Sequence, residues 1–162
     1  MKRQQFLRLL VVLLCSGLSE SHARIMPDLS YQQLFDRSDL VVIAMPVSKT
    51  ADTGEKAALP NIYKQDPDGT QHPVRAIGAE TSFRVCLVLK GGKGIKQFVL
   101  HHYREESQIS EINGPGLVSF NPQDQSKYSY LMFLVREKDG RYAPTGGQTD
   151  PAYKSINQVP LD

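Results

Sequence analysis

Between residues 81 and 103 two apolar, β-branched runs, TSFRVCLVLK and IKQFVLHHY, flank the glycine-rich link Gly91, Gly92, Lys93 and Gly94. Short runs of this kind joined by a turn signal predict a β-hairpin. In the first run Phe83, Val85, Leu87 and Leu89 share one face at period two, and Arg84, Cys86, Val88 and Lys90 share the other, so the first set is expected in the core. A second strong strand is predicted over residues 128–137, where Leu131, Phe133 and Val135 alternate with Tyr130, Met132 and Leu134. Asp139 and Gly140 then give a hairpin signal into residues 141–143. Upstream, LVVIAMPV at 40–47 is apolar on both faces and predicts a strand covered on both sides. Pro46 lacks an amide donor, so that strand should end or reach an edge there.

The remaining stretches carry weaker patterns. Within 27–39, Ser30 and Gln33 have capping-box spacing and Tyr31, Leu34 and Phe35 form an apolar stripe, predicting a two-turn helix packed on the sheet. Residues 48–60 are small and polar and read as a mobile loop. Asp66, Pro67, Asp68 and Gly69 suit a type I turn, across which 62–64 and 74–77 would pair weakly. Gly78 predicts a bulge or bend in one long strand. Residues 117–120 read as a short strand between polar segments, and Asp150 with Pro151 suits the N-cap and first position of a short C-terminal helix. The expected fold is therefore mainly β: a small closed OB-like barrel of five to six strands, with a short N-terminal helix and a short C-terminal one.

Charge and cysteine content change the picture at the N-terminus. Lys2, Arg3 and Arg8 precede an apolar stretch over 9–18, and Ser21, His22 and Ala23 read as a small-x-small cleavage site. This order predicts a signal peptide over 1–23 and an exported protein, periplasmic or extracellular. The apolar run is about half of what a bilayer-spanning helix needs, so no membrane span is expected after cleavage. Removing Lys2, Arg3, Arg8 and Glu20 from a chain with 19 basic and 17 acidic residues leaves the two signs balanced, so nucleic-acid binding is not expected. Residues 24–162 suit a single domain. Cleavage also removes Cys15, leaving Cys86 unable to form an intramolecular disulfide. Such a thiol is either reactive, paired between chains, or buried and inert, and its place in a strand favours burial.

The ordered set SDLVVIA, TSFRVCLVLKG and YLMFLVREKDGRY resembles the netrin-like module, the OB-type barrel of the tissue inhibitors of metalloproteinases, and is closer to exported bacterial proteins with that barrel. The likeness covers about residues 38–142. It implies the barrel. The inhibitors chelate the protease zinc through a free N-terminal cysteine held by disulfides, and a chain whose sole mature cysteine lies mid-strand departs from that pattern.

Candidate chemistry is sparse. His101, His102, Glu105 and Glu106 come nearest to a metal set, with His72 as a remote addition, but neighbouring strand residues point to opposite faces and the two imidazoles should not share one ion. No metal, cofactor or catalytic set is expected, and the chain reads as a non-enzyme. Lys90, Lys93 and Lys96 surround the glycine-rich tip, as an anion-binding tip or as charge guarding a strand end. Tyr128, Tyr130 and Tyr142 stand on strands paired across Asp139 and Gly140. Barrel-wall packing is their default, and a saccharide-binding face the sharper reading. The leading expectation is a binding or protein-interaction module for an unknown protein, anionic or saccharide ligand. The alternative is an inhibitor of an extracellular peptidase.

Overall fold

The computed structural model describes residues 29–106, 117, 118, 120, 128–147 and 154–160, and the statements below concern these. The signal-peptide region and the Asp150–Pro151 pair lie outside them.

The capping box forms as the sequence predicts. Ser30 Oγ accepts from the Gln33 amide at 3.2 Å, and Gln33 Oε1 accepts from the Ser30 amide at 2.9 Å. This starts α1 (Tyr31–Arg37), which ends where the Ser38 amide and hydroxyl both donate to the Leu34 carbonyl, at 3.0 and 2.6 Å. The helix buries Leu34 against Val41 and Phe133.

Seven strands follow: β1 (Leu40–Pro46), β2 (Ala51–Gln65), β3 (Gln71–Lys90), β4 (Gln97–Glu105), β5 (Tyr128–Arg136), β6 (Tyr142–Pro144) and β7 (Ile156–Pro160). The hydrogen-bonded order β1-β3-β4-β6-β5, closed by β1 pairing with β5, makes a five-stranded barrel compatible with an OB-like fold. β2 adds to β3 and β7 to β5, outside the ring. Leu40, Val42, Ala44, Phe83, Phe98, Leu100, Met132 and Leu134 fill the interior. Phe83 sits among aromatic rings, stacked on Phe98 at 5.4 Å and edge-on to Phe120 at 5.0 Å.

Several expectations are corrected. The polar stretch 48–60 is not a loop, because residues from Ala51 onward form β2 along β3. β3 is long enough to template a partner whose own side chains need no core, so β2 can be polar. Gly78 marks no bulge in the β3–β4 ladder, which runs in register from Ala76 to Arg84. The irregularity is in β2, which gains residues between Asp52 and Lys56. A Cβ on Gly78 would lie 2.5 Å from Thr53 Oγ1 and 2.8 Å from Glu55 Cβ, so the glycine makes room for β2's bulge.

Alternation in β3 also breaks. Ile43 pairs with Leu87 but Ala44 with Val85, and Val41 with Lys90 but Val42 with Val88, so Cys86 and Leu89 are extra residues on β3. Val85 and Val88 therefore face the core, while Leu87 and Leu89, expected inside, are 51% and 48% exposed. Cys86 is exposed as well, not buried. Residues 117, 118 and 120 belong to no strand, although Phe120 is buried in the barrel. The described C-terminal element is the strand β7.

Candidate functional site

Register places His101 opposite Glu80 and Tyr103 opposite Gly78 on the outer face of the β3–β4 pair, while His102 points inward beside Ala79. The two histidines thus fall on opposite faces, as strand geometry requires. The inner one is a core residue. His102 Nε2 lies 2.9 Å from Thr81 Oγ1, which in turn lies 2.8 Å from Thr50 Oγ1, and its ring meets Phe120 edge-on at 5.3 Å. Burial pushes its pKa down to about 4, only partly opposed by the Val118 backbone, so near neutral pH it is uncharged.

His101, 5% exposed, is the base of a charged cluster. Its Nδ1 lies 3.0 and 2.9 Å from the two carboxylate oxygens of Glu137, just after β5. Its Nε2 lies 3.0 Å from Glu55 Oε2, which the β2 bulge carries over Gly78. This second contact is close in distance but lacks the alignment of a hydrogen bond. Arg141, just before β6, ties the carboxylates together: it donates to Glu80 at 2.7 Å, to Glu55 at 3.1 Å and to Asp139 at 2.7 Å, and stands 3.7 Å from Glu137. Burial alone would lower this guanidinium's pKa, but its bonds to Glu80, Glu55 and Asp139 raise it. Tyr103, 5.1 Å ring to ring from His101, has its phenol pushed up by burial and then by the Glu55 and Glu137 charges.

The cluster joins four parts of the chain where the barrel is most weakly laddered. β4 and β6 run parallel and pair at Leu100 and Tyr142 alone. Beside that pair, His101–Glu137 and Arg141–Glu80 cross the seam. The groups face one another, so the arrangement acts as a tie between strands. Among the described residues no group of three or more His, Cys, Asp or Glu side chains could hold a metal ion. Glu106 is drawn off to Lys56 at 2.8 Å, and His72 to Asp66 at 3.2 Å.

The lysines and tyrosines singled out by sequence do not gather into one site. Lys90 leaves the hairpin tip for the end of α1, where Nζ donates to the Phe35 and Asp36 carbonyls at 2.7 and 3.0 Å and lies 5.3 Å from the Phe35 ring centre. A cation there satisfies carbonyls the helix leaves open. Lys93 and Lys96 remain exposed at the tip. Tyr130 and Tyr142 pack against the barrel core, edge-on to Phe120 at 5.2 Å and to Phe98 at 5.7 Å, and Tyr128 is half-buried near the start of β5.

A feature that strict alternation concealed lies on the outer wall. Leu87, Ile43 and Leu131 are register partners across β3, β1 and β5. They form an aliphatic row beside the Leu34–Val41–Phe133 cluster beneath α1, and Leu131 packs against that cluster. Cys86, Leu87 and Leu89 lie exposed at the β3 end of this row. The signal that could have found it is the paired Val85 and Val88, whose three-residue spacing cannot share a face without a bulge.

Among known proteins, no family model matches the sequence and the curated proteins give no match.

Proposed function

We propose that the chain is an exported, non-enzymatic binding or protein-interaction module on an OB-type barrel of the netrin-like kind, reading its partner through the outer wall of β3 and β1. The observation that carries this reading is the outward-turned row of Leu87, Ile43 and Leu131, extended by half-exposed Leu89. Single exposed leucines are ordinary, whereas a contiguous apolar strip is what interaction sites offer. The closed character of the His101 cluster supports the absence of catalysis from the reading, since a general base must present an available lone pair to a substrate.

The test compares the purified domain with Leu87→Glu/Leu89→Glu in pull-downs from extracytoplasmic extract, followed by direct affinity measurement on the captured species. The charged variant should fold with near-unchanged stability and lose the partner at least tenfold, an interface-centre effect. Equal binding by both proteins would move the interface elsewhere.

A second reading, inhibition of an extracellular peptidase without N-terminal zinc chelation, rests on a different feature. β2 and β3 continue as a pair beyond Ala76, where β4 stops, to Gln65 and Gln71 at the Asp66–Gly69 turn. Such a hairpin is a shape that enters a cleft. Peptidase assays with the protein and with a variant shortened across residues 63–73 separate the readings, because only inhibition is lost on shortening.

A further inference from the structure

The position of β2 outside the barrel ring makes its attachment a question separate from that of the partner. Its ladder to β3 is interrupted at the bulge, and there the side chain of Glu55 supplies the connection, reaching His101 on β4 and Arg141 at β6. The imidazole stands between two carboxylates, Glu137 at Nδ1 and Glu55 at Nε2. A doubly protonated ring has an N–H for each, whereas a neutral ring has one N–H and one lone pair. Because Nδ1 reaches both oxygens of Glu137, the neutral ring keeps its proton there, and its Nε2 lone pair then faces the Glu55 carboxylate at 3.0 Å. That contact changes from attraction to repulsion, and the cost falls on β2.

We propose that His101 is a protonation-dependent clasp that fastens the β2 bulge to the barrel when its ring is charged and loosens it when the ring is neutral. The other groups around the ring set the limits of the effect. Glu80 on β3 and Asp139 in the β5–β6 turn bond Arg141, which still holds Glu55 when the ring is neutral. Tyr103 on β4 faces the same carboxylates, and His102 points to the opposite side of β4. On either side of the bulge Asp52 pairs with Arg104 at 2.6 Å and Lys56 with Glu106 at 2.8 Å. The neutral state is therefore a loosened bulge on an attached strand.

The experiment follows two signals in the purified protein as the pH is raised stepwise until the ring is seen to be neutral. The ring nitrogens of His101 are read by ¹⁵N NMR, and the amides of β2 and β1 by hydrogen exchange with intrinsic chemistry divided out. Protection at residues 51, 52 and 56–58 should fall about tenfold as the ring loses its proton, a modest part of the Coulomb attraction between opposite charges at this range, while Val42 and Leu134 hold theirs. Glu55→Gln changes a partly exposed carboxylate and should leave the fold intact. Its amide can donate to the neutral ring's lone pair, so the dependence should vanish or reverse. Wild-type β2 protection that ignores the titration, or a dependence unchanged in Glu55→Gln, would overturn the clasp.

Discussion

Replacing Gly78 by alanine adds one methyl group to the centre of the longest strand. Its conformation there is not left-handed, so the backbone itself accepts a side chain. The obstacle is space: the new Cβ would stand 2.5 Å from Thr53 Oγ1 and 2.8 Å from Glu55 Cβ, distances at which β2 has to move. Overpacking of this sort costs about 1 to 3 kcal/mol, and removing a strand glycine returns about 0.5 to 1, so the net loss should be at most about 2.5 kcal/mol and centred on about 1 kcal/mol. Urea unfolding of Gly78→Ala should show a lower midpoint with an unchanged slope, because the surface exposed on unfolding is nearly the same. Hydrogen exchange should put the damage in β2 and leave β1 and β5 protected. Thr53→Ala removes the nearest atom but not Glu55 Cβ, so the double variant should recover part of the loss. A neutral or stabilising Gly78→Ala with β2 unaltered would mean that the bulge does not lie over this residue.

Phe83→Ala should cost about 3 to 5 kcal/mol because the ring is fully buried among Phe98, Phe120 and Tyr130, whereas Leu87→Ala should cost well under 1 kcal/mol; denaturant titrations giving similar losses would show the bulge at Cys86 to be misplaced. Cys86 should react with Ellman's reagent in the native protein nearly as fast as in urea, and a native reaction slowed by orders of magnitude would mean that the thiol is covered. For His102 the folded pKa of about 4 lies below the unfolded value of 6.5, so the unfolded chain takes up the proton first as pH falls. The stability this group contributes is present above pH 6.5 and lost toward pH 4, a drop of about 3 kcal/mol. His102→Gln should flatten the stability–pH curve in that window, and an equally steep curve in the variant would assign the slope to other groups.

What the sequence made legible, and what it hid, follows from how local each signal is. The Ser30–Gln33 box, the Asp66–Gly69 turn, the 91–94 link and the Asp139–Gly140 turn are set by neighbours a few residues apart, and each appears where the pattern puts it. Pro46 ends β1 for the equally local reason that it lacks a donor. Period-two counting fails past a bulge, because one extra residue exchanges the faces of everything beyond it. Phe83 was readable as core; Leu87, beyond the extra Cys86, was not. The first half of β2, over residues 51–58, was hidden for another reason, since its small and polar residues carry no burial signal and its partner is chosen by the length of β3. The His101 cluster was out of reach, as Arg141 and Glu80 meet across 61 positions of sequence.

The bulges of β3 and the Asp52–Lys56 bulge of β2 have different energetic roles. The β3 bulges turn Leu87 and Leu89 outward, so the fold forgoes burying two leucines, each worth about 1.5 to 3 kcal/mol if fully buried. The bulge in β2 trades ladder pairs for charged contacts at the β4–β6 seam, where parallel pairing is confined to Leu100 and Tyr142. Exposed carboxylates contribute little by themselves, but His101 is 5% exposed, and a buried ring with carboxylates on both sides is sensitive to the loss of either one. Barrel closure is carried by the interior around Phe83, which contains no group of the cluster. On the clasp proposed above, the hold on the β2 bulge varies with the charge on His101 while the barrel stays shut and the outer row on β3, β1 and β5 keeps its geometry. A partner that binds the row should be indifferent to that charge, and one that contacts β2 should follow it.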